Sequence, residues 1–358
     1  MEKKNIAVIF GGVSSEHKIS EISASSVINN LSAESFNIIK IGITSSGKWF
    51  LVSCETSEIA NGNWETAPSN KRCVISTDPQ RRGIFLSDND EFLPVDVFFP
   101  VLHGKNGEDG TVQGLLELAR VPYVGCGVLA SASCMDKAVT NMLLEQIGVA
   151  QAKFIWFYVS DWNEDSAPIK EQIAEKLGYP VFVKPANAGS SVGISKVASP
   201  DKLAEAIAVA ANEDDRIVVE ESISGREVEC AVMGNDKPIA SVVGEILPAV
   251  EFYTFEAKYQ DANSRLCIPA DLPEEISEKI RKTAIYAYRM LGCSGLSRVD
   301  FFVRHSDNAI LLNEINTLPG FTSISMYPKL FAASGVAYAE LLEKLIDLAI
   351  EKNAERKY

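Results

Sequence analysis

Four clusters of residues have the types and spacing to do chemistry. The first is Lys184-Pro185-Ala186-Asn187-Ala188-Gly189-Ser190-Ser191-Val192-Gly193, which follows the apolar run Val181-Phe182-Val183. A buried strand that ends in lysine and opens into a Gly/Ser loop suits a polyphosphate. Glycines admit close backbone approach, N–H groups and hydroxyls donate, and the lysine adds a point charge. The pattern GxxxxGK[ST] occurs nowhere in the chain, so this is not a Walker loop. A hairpin with a solvated lysine is the competing reading.

The second cluster is Arg298-Val299-Asp300 with Asn313-Glu314-Ile315-Asn316. Strand alternation puts Arg298 and Asp300 on one face, and Glu314 and Asn316 on one face of the next strand. If the strands pair, Asp300, Glu314 and Asn316 supply hard oxygen ligands suited to Mg²⁺ shared with nucleotide phosphates. Arg298 then sits beside a transferring phosphoryl group. The neighbours Leu296, Phe301, Leu311 and Leu312 argue against a merely solvated hairpin face.

The third is His103-Gly104-Lys105-Asn106-Gly107-Glu108-Asp109-Gly110, directly after an apolar strand at 96–99. Open α/β sheets bind ligands beyond their strand ends. Asp109 can equally be a plain cap of the next helix. The fourth is the first strand-to-helix loop, residues 11–17, with Glu16 at the helix start. An acid there either compensates the helix dipole or holds a substrate ammonium. A lone GxGxx[GA] match at Gly125-Cys126-Gly127-Val128-Leu129-Ala130 raises an NAD-binding alternative. It is weakened because the acid about twenty residues on, Glu145, falls within a helical pattern.

Alternating strand-like and helix-like segments position these clusters and predict an α/β protein. Strands are expected at 5–10, 36–43, 96–99, 181–184, 192–196, 217–220, 228–233, 240–246, 298–303 and 309–314. Helices are expected from after Ser15 to about residue 31, and at 111–119, 133–147, 202–211 and 274–291. In the last helix Tyr338, Leu341, Leu342, Leu345, Ile346 and Ala349 share one face. Residues 44–93 read as irregular, with a short strand near 48–52, and 248–264 as a polar loop.

The chain has 358 residues, enough for two or three domains. Its net charge of −14 argues against a nucleic-acid partner, which needs a surplus of Lys and Arg. No apolar run approaches the length of a membrane span, and the run at 6–10 is too short for a signal-peptide core. Seven cysteines without CxxC spacing read as free thiols of a reducing cytoplasm. The three histidines are too scattered for a metal cluster.

Taken in order, the motifs resemble the D-alanine–D-alanine ligase family of ATP-grasp enzymes, including the D-Ala–D-Ser ligases of vancomycin resistance. The likeness runs from about residue 5 to 350. It rests on FGGxSSEH (Phe10 to His17), LHGKNGEDGT (Leu102 to Thr111), Met135-Asp136-Lys137, KPxNxGSSVG (Lys184 to Gly193), SRVDFF (Ser297 to Phe302) and NEINTLPGFTSISMYP (Asn313 to Pro328). It implies an ATP-grasp fold with a Rossmann-like α/β domain at 1–130, a central lobe at 131–223 and a C-terminal lobe at 224–358. It also implies an ATP-dependent synthesis of D-alanyl-D-alanine through D-alanyl phosphate, for peptidoglycan precursors. D-Ala–D-Ser ligation is the alternative.

The resemblance carries roles to matching residues. Lys137, Lys184, Ser191 and Lys258 would hold ATP phosphates. Glu220 and Ile223 would read adenine, and Glu227 the ribose. Asp300, Glu314 and Asn316 would hold Mg²⁺, two ions in the family, with Mn²⁺ as a substitute. Glu16 would bind the first D-Ala ammonium and His103 would face the substrate. Arg298 and the N–H of Gly320 would stabilise the oxyanion. Ser325 and the Met326 backbone would hold the second carboxylate. Tyr259 would bond towards Glu16 and Ser190. Lys258-Tyr259 argues against lactate as acceptor, while Tyr253 and Met326 match D-Ala rather than D-Ser enzymes. Ala188 and Thr254 depart from the family pattern. A cytoplasmic homodimer without membrane or nucleic-acid partners is implied. A regulatory protein that has lost catalysis would be expected to lose Arg298, Asp300, Glu314 or Asn316, and all are present.

Overall fold

The computed structural model describes residues 3–88, 91–247 and 265–354. Its strands form three sheets among those residues. The first is built on β1 (Lys4–Gly11), which pairs in parallel with β2 (Phe36–Ile43) on one side. On its other side it pairs in parallel with the strand Val97–Pro100. Ile6, Val8 and Phe10 enter one apolar core and Ala7 and Ile9 the opposite one. Burial on both faces explains why this strand reads as a continuous apolar run. The expected α/β class is therefore present, with a parallel centre.

The described residues within 44–93 are more ordered than their composition suggests. The strands β3 (Trp49–Val52), β4 (Lys71–Ile75), β5 (Gly83–Leu86) and β6 (Phe92–Pro94) extend the first sheet by antiparallel pairing. Between β3 and β4 lie a short helix, Thr56–Asn61, and a 3₁₀ turn, Asn63–Thr66, that buries Trp64. These strands are short and edge-like, and periodicity over three to five residues is too brief to read. The strand Val97–Pro100 follows as β7.

The second sheet runs β10-β9-β11-β8, from β8 (Phe154–Tyr158), β9 (Val181–Pro185), β10 (Ser195–Val197) and β11 (Arg216–Glu221). The third contains β12 (Gly225–Gly234), β13 (Ile239–Leu247), β14 (Arg265–Cys267), β15 (Gly295–Arg304) and β16 (Ile310–Asn316). The single helix expected over 133–147 is broken at Asp136, whose extended backbone ends one helix and whose carboxylate accepts from Val139 N at 2.9 Å to start the next. The expected strand at 192–196 shrinks to β10 because Gly193 has a left-handed backbone. On the C-terminal helix Tyr338–Ala354, Leu341, Leu342, Leu345, Ile346 and Ala349 are all buried. They join the core beneath β1, tying the end of the chain to its beginning.

Candidate active site

A cleft of about 710 Å³ opens among the three sheets. The second and third sheets supply its floor through strand register. Lys184 lies opposite Val218 in the β9–β11 pair, so its side chain falls on the same face as Glu220, two residues along. Lys184 Nζ and Glu220 Oε2 are 2.5 Å apart, and both side chains are largely buried. Asn141 Nδ2 donates to the other oxygen of Glu220 at 3.0 Å. Lys137, in the helix Lys137–Gln146, donates to Ala188 O at 2.6 Å. Burial pulls the Lys137 pKa down; Glu314 opposes this and Lys184 reinforces it. Two lysines therefore converge where a polyanion would relieve their repulsion.

The carboxylate wall comes from β12, β15 and β16. Arg298 pairs with Asn316, and Asp300 with Glu314, as alternation predicts. A bulge follows, with Phe301 opposite Leu312, leaving Asn313 as the extra residue of β16. The bulge lets Leu312 and Ile315 both enter the core while Glu314 and Asn316 line the cleft. Arg298 donates to both oxygens of Asp300, at 2.7 and 2.6 Å. Its Nε is 2.9 Å from Glu229, and Glu314 lies 4.0 Å away. Burial works against the charge of Arg298, but Asp300 and Glu229 outweigh it and push its pKa up.

Sequence reasoning missed Glu229. It stands opposite Asp300 on β12 and is only 4% exposed. The available signal was a carboxylate inside the apolar run Val228-Glu229-Cys230-Ala231-Val232. Asn141, the anchor of Glu220, was missed because a single amide on a helix carries no spacing pattern.

The third wall belongs to the first sheet. Glu16 sits at the start of the helix His17–Asn30 yet makes no side-chain cap bond. Its carboxylate instead accepts from Ser190 Oγ, across 174 residues, and is 6% exposed. Ser190 and Ser191 both have left-handed backbones, rare for non-glycine residues and concentrated at functional loops. A Cβ on Gly104 or Gly189 would lie 2.6 Å from Glu16 Oε2, so both glycines leave room for that carboxylate. His103 bonds Leu318 O and Ser23 Oγ, each at 3.2 Å, and Glu108 accepts from Gly104 N at 2.5 Å. Asp109 is not the cap residue expected; Gly110 is, and Asp109 accepts from Asn106 N and Thr111 N.

The cleft thus gathers Glu16, His103, Lys137, Lys184, Ser190, Ser191, Glu220, Ile223, Glu227, Arg298, Asp300, Glu314, Asn316 and Gly320. Ser325 and Met326 lie behind this lining. Ser325 Oγ meets Thr322 N and Oγ1 at 3.0 and 2.8 Å, and a Cβ on Gly320 would lie 2.8 Å from it. The Met326 side chain packs in the core, and its backbone begins the helix Met326–Ala333. Tyr253, Thr254, Lys258 and Tyr259 lie outside the described residues. Gly125 packs its backbone on Gly295. That close contact leaves the dinucleotide reading of residues 125–130 without support.

Among the described residues no group of three or more His, Cys, Asp or Glu side chains is arranged to hold a metal by itself. The donor set fits Mg²⁺ nonetheless, since that ion takes one or two carboxylates and completes its shell with phosphate and water. All seven cysteines are free. No helix among the described residues is long and apolar enough to cross a membrane.

Comparison with known proteins shows the family. Residues 5–126 match the family described as D-ala D-ala ligase N-terminus, and residues 143–347 match D-ala D-ala ligase C-terminus. A D-alanine--D-alanine ligase of Acetivibrio thermocellus is 50% identical, covering 98% of this chain and 97% of its own. The solved VanG D-Ala:D-Ser ligase of Enterococcus faecalis is 43% identical with a TM-score of 0.88, covering 97% of this chain and 100% of its own. The D-alanine-D-alanine ligase of Coxiella burnetii is 36% identical with the same TM-score, covering 99% and 96%. On sequence, fold and the convergence of three walls on one cleft, the chain belongs to the D-alanine–D-alanine ligase family.

Proposed function

We propose that the protein joins two D-alanines into D-alanyl-D-alanine with conversion of ATP to ADP and phosphate. The observation that carries this reading is one cleft holding a buried ammonium acceptor, Glu16, across from a lysine pair and the Arg298–Asp300–Glu314 array. The three lobes divide near residues 130 and 223, with ATP between the second and third. Lys137, Lys184 and Ser191 take the phosphates, Glu220 and Ile223 the adenine edge, and Glu227 the ribose. Asp300, Glu314 and Asn316 would hold Mg²⁺, two ions with Mn²⁺ as a substitute, which would supply charge neutralisation at the phosphoryl oxygens.

A carboxylate acylates poorly because oxide is its leaving group. The first D-Ala carboxylate oxygen therefore forms a bond to the γ-phosphorus as the bond to the ADP oxygen breaks. The second D-Ala amine attacks the carbonyl carbon of the acyl phosphate. The C–N bond forms, the C–O bond to phosphate breaks, and the amine proton leaves to solvent. Glu16, oriented by Ser190, fixes the first ammonium, with His103 beside it. Arg298 and the Gly320 N–H stabilise the tetrahedral oxyanion. Ser325 and the N-terminus of the helix Met326–Ala333 receive the second carboxylate. Tyr253, Lys258 and Tyr259 keep the roles the resemblance implies. The product serves peptidoglycan precursors, and the enzyme works in the cytoplasm as a homodimer.

The likeness to a D-Ala:D-Ser ligase makes D-serine the acceptor to compare. The test is phosphate release with ATP and Mg²⁺, using D-Ala alone or D-Ala with excess D-Ser, and mass analysis of the dipeptides. Release with D-Ala alone, yielding D-Ala–D-Ala, supports the proposal. Mainly D-Ala–D-Ser would replace the acceptor, and no release with either would sink the substrate assignment.

A further inference from the structure

We propose that His17 is a positioning residue for the first D-amino acid, clamped so as to hold the Glu16 loop, and that residues 44–93 serve the site through Trp64 and Glu65. The choice of ligand rests on the function proposed above; the clamp rests on geometry. His17 Nδ1 lies 2.7 Å from Gly12 O, closing the loop that ends in Glu16. Its Nε2 lies 3.3 Å from both Glu21 Oε1 and Glu65 Oε1. Carbonyl and carboxylate oxygens only accept, so these contacts are all satisfied when both ring nitrogens carry hydrogen, the imidazolium form of His17.

The surroundings keep those acceptors ionised and in place. Trp64 lies nearly parallel to the imidazole, with centroids 6.5 Å apart, and donates Nε1–H to Glu21 at 2.6 Å. Lys18 adds a bond to Glu21 at 2.9 Å. Burial pushes the Glu21 carboxyl up, and bonds from His17, Lys18 and Trp64 outweigh it, leaving its pKa lowered. Ser45 N donates to Glu65 at 2.7 Å, joining a second loop to the clamp. A Cβ on Gly42 would strike the Trp64 ring at 2.3 Å, so the sheet is cut to receive that indole. The charged groups facing His17 are thus Glu21 from its own helix, itself paired with Lys18, and Glu65 from the 3₁₀ turn. The bond to Glu21, chiefly, raises the His17 pKa. The imidazolium is therefore held to higher pH than in a free histidine, and it is lost as pH climbs through that raised value.

The test combines ¹⁵N NMR of the three histidines with first-site kinetics. Hydroxylamine replaces the second D-Ala, so that D-alanine hydroxamate formation reports the first site alone. In the wild-type protein His17, identified by its loss in His17→Gln, should show both nitrogens protonated at pH 7. Glu65→Gln, an isosteric change at a half-buried position, should lower the His17 pKa and raise the first-site KM. His17→Gln should raise that KM by about tenfold with a much smaller change in kcat. His17→Arg should restore it and flatten the rise of KM with pH. A neutral His17 at pH 7, an unchanged KM in His17→Gln, or equal losses in kcat and KM without rescue by arginine would overturn the proposal. Absence of hydroxamate from the wild-type protein overturns the ligase reading itself, an outcome distinct from an active wild type that His17→Gln matches.

Discussion

The carboxylate wall and the Glu16 wall of the cleft are built in different ways. Arg298, Asp300, Glu314, Asn316 and Glu229 stand on three adjacent strands, where register fixes every neighbour. Glu16 stands on a loop and is placed by Ser190, Gly104 and Gly189, far away in sequence. The first wall is a rigid ladder that couples function to stability. The second is a meeting of loops, whose geometry can change with little cost to the fold.

Arg298→Ala should break the ladder most severely. It removes the cation from among buried carboxylates, so activity should fall by about 10²–10³-fold or more. Unfolding should also become easier by about 3–5 kcal/mol, as expected for half of a buried ion pair. Steady-state kinetics and urea denaturation read both effects. Glu16→Gln should separate the two properties: kcat/KM for D-Ala drops by about 10- to 100-fold, as for a lost charge-assisted bond. The denaturation midpoint should hardly move, and a large destabilisation would show that this wall is also structural.

Gly189→Ala sharpens the contrast further. The added methyl crowds the end of the Glu16 side chain and touches Gly104 Cα only at an ordinary 3.6 Å, so the protein should fold normally. The displaced carboxylate should raise the D-Ala KM by about tenfold while the ATP KM stays level, because small misplacements at a site are costly. Asn141→Ala probes the floor, where loss of one bond to Glu220 should raise the ATP KM by about fivefold.

The smallest expected effect is on stability against pH. The folded His17 pKa is raised, so its contribution is complete below the unfolded value of about 6.5. It is lost as pH rises through the folded value. Urea midpoints of the wild type should fall over that window, and those of His17→Gln should fall less.

Legibility in the sequence followed the same division. The pairing of β15 with β16, and the shared face of Arg298 and Asp300, came from a period of two. The buried stripe of the last helix came from a period of 3.6. The bulge at Asn313 had no signal, because one extra residue leaves composition unchanged. Residues 44–93 looked irregular because their strands are three to five residues long, yet they carry the indole that buttresses His17.

Local pattern in the sequence specified many of the longer strands and helices, though not β8 or the helix Ser166–Lys176. It also specified the lysine at the end of β9, the oxygen donors of β15 and β16, and the family resemblance. All of these are encoded within short windows by alternation, capping and motif spacing. Long-range packing set Glu16 against Ser190 and not at the cap of its helix. It alone placed Glu229 behind Arg298, Asn141 on Glu220, and His17 between carboxylates from two segments. Those contacts join residues distant along the chain, and local pattern carries no information about which distant partner a side chain meets.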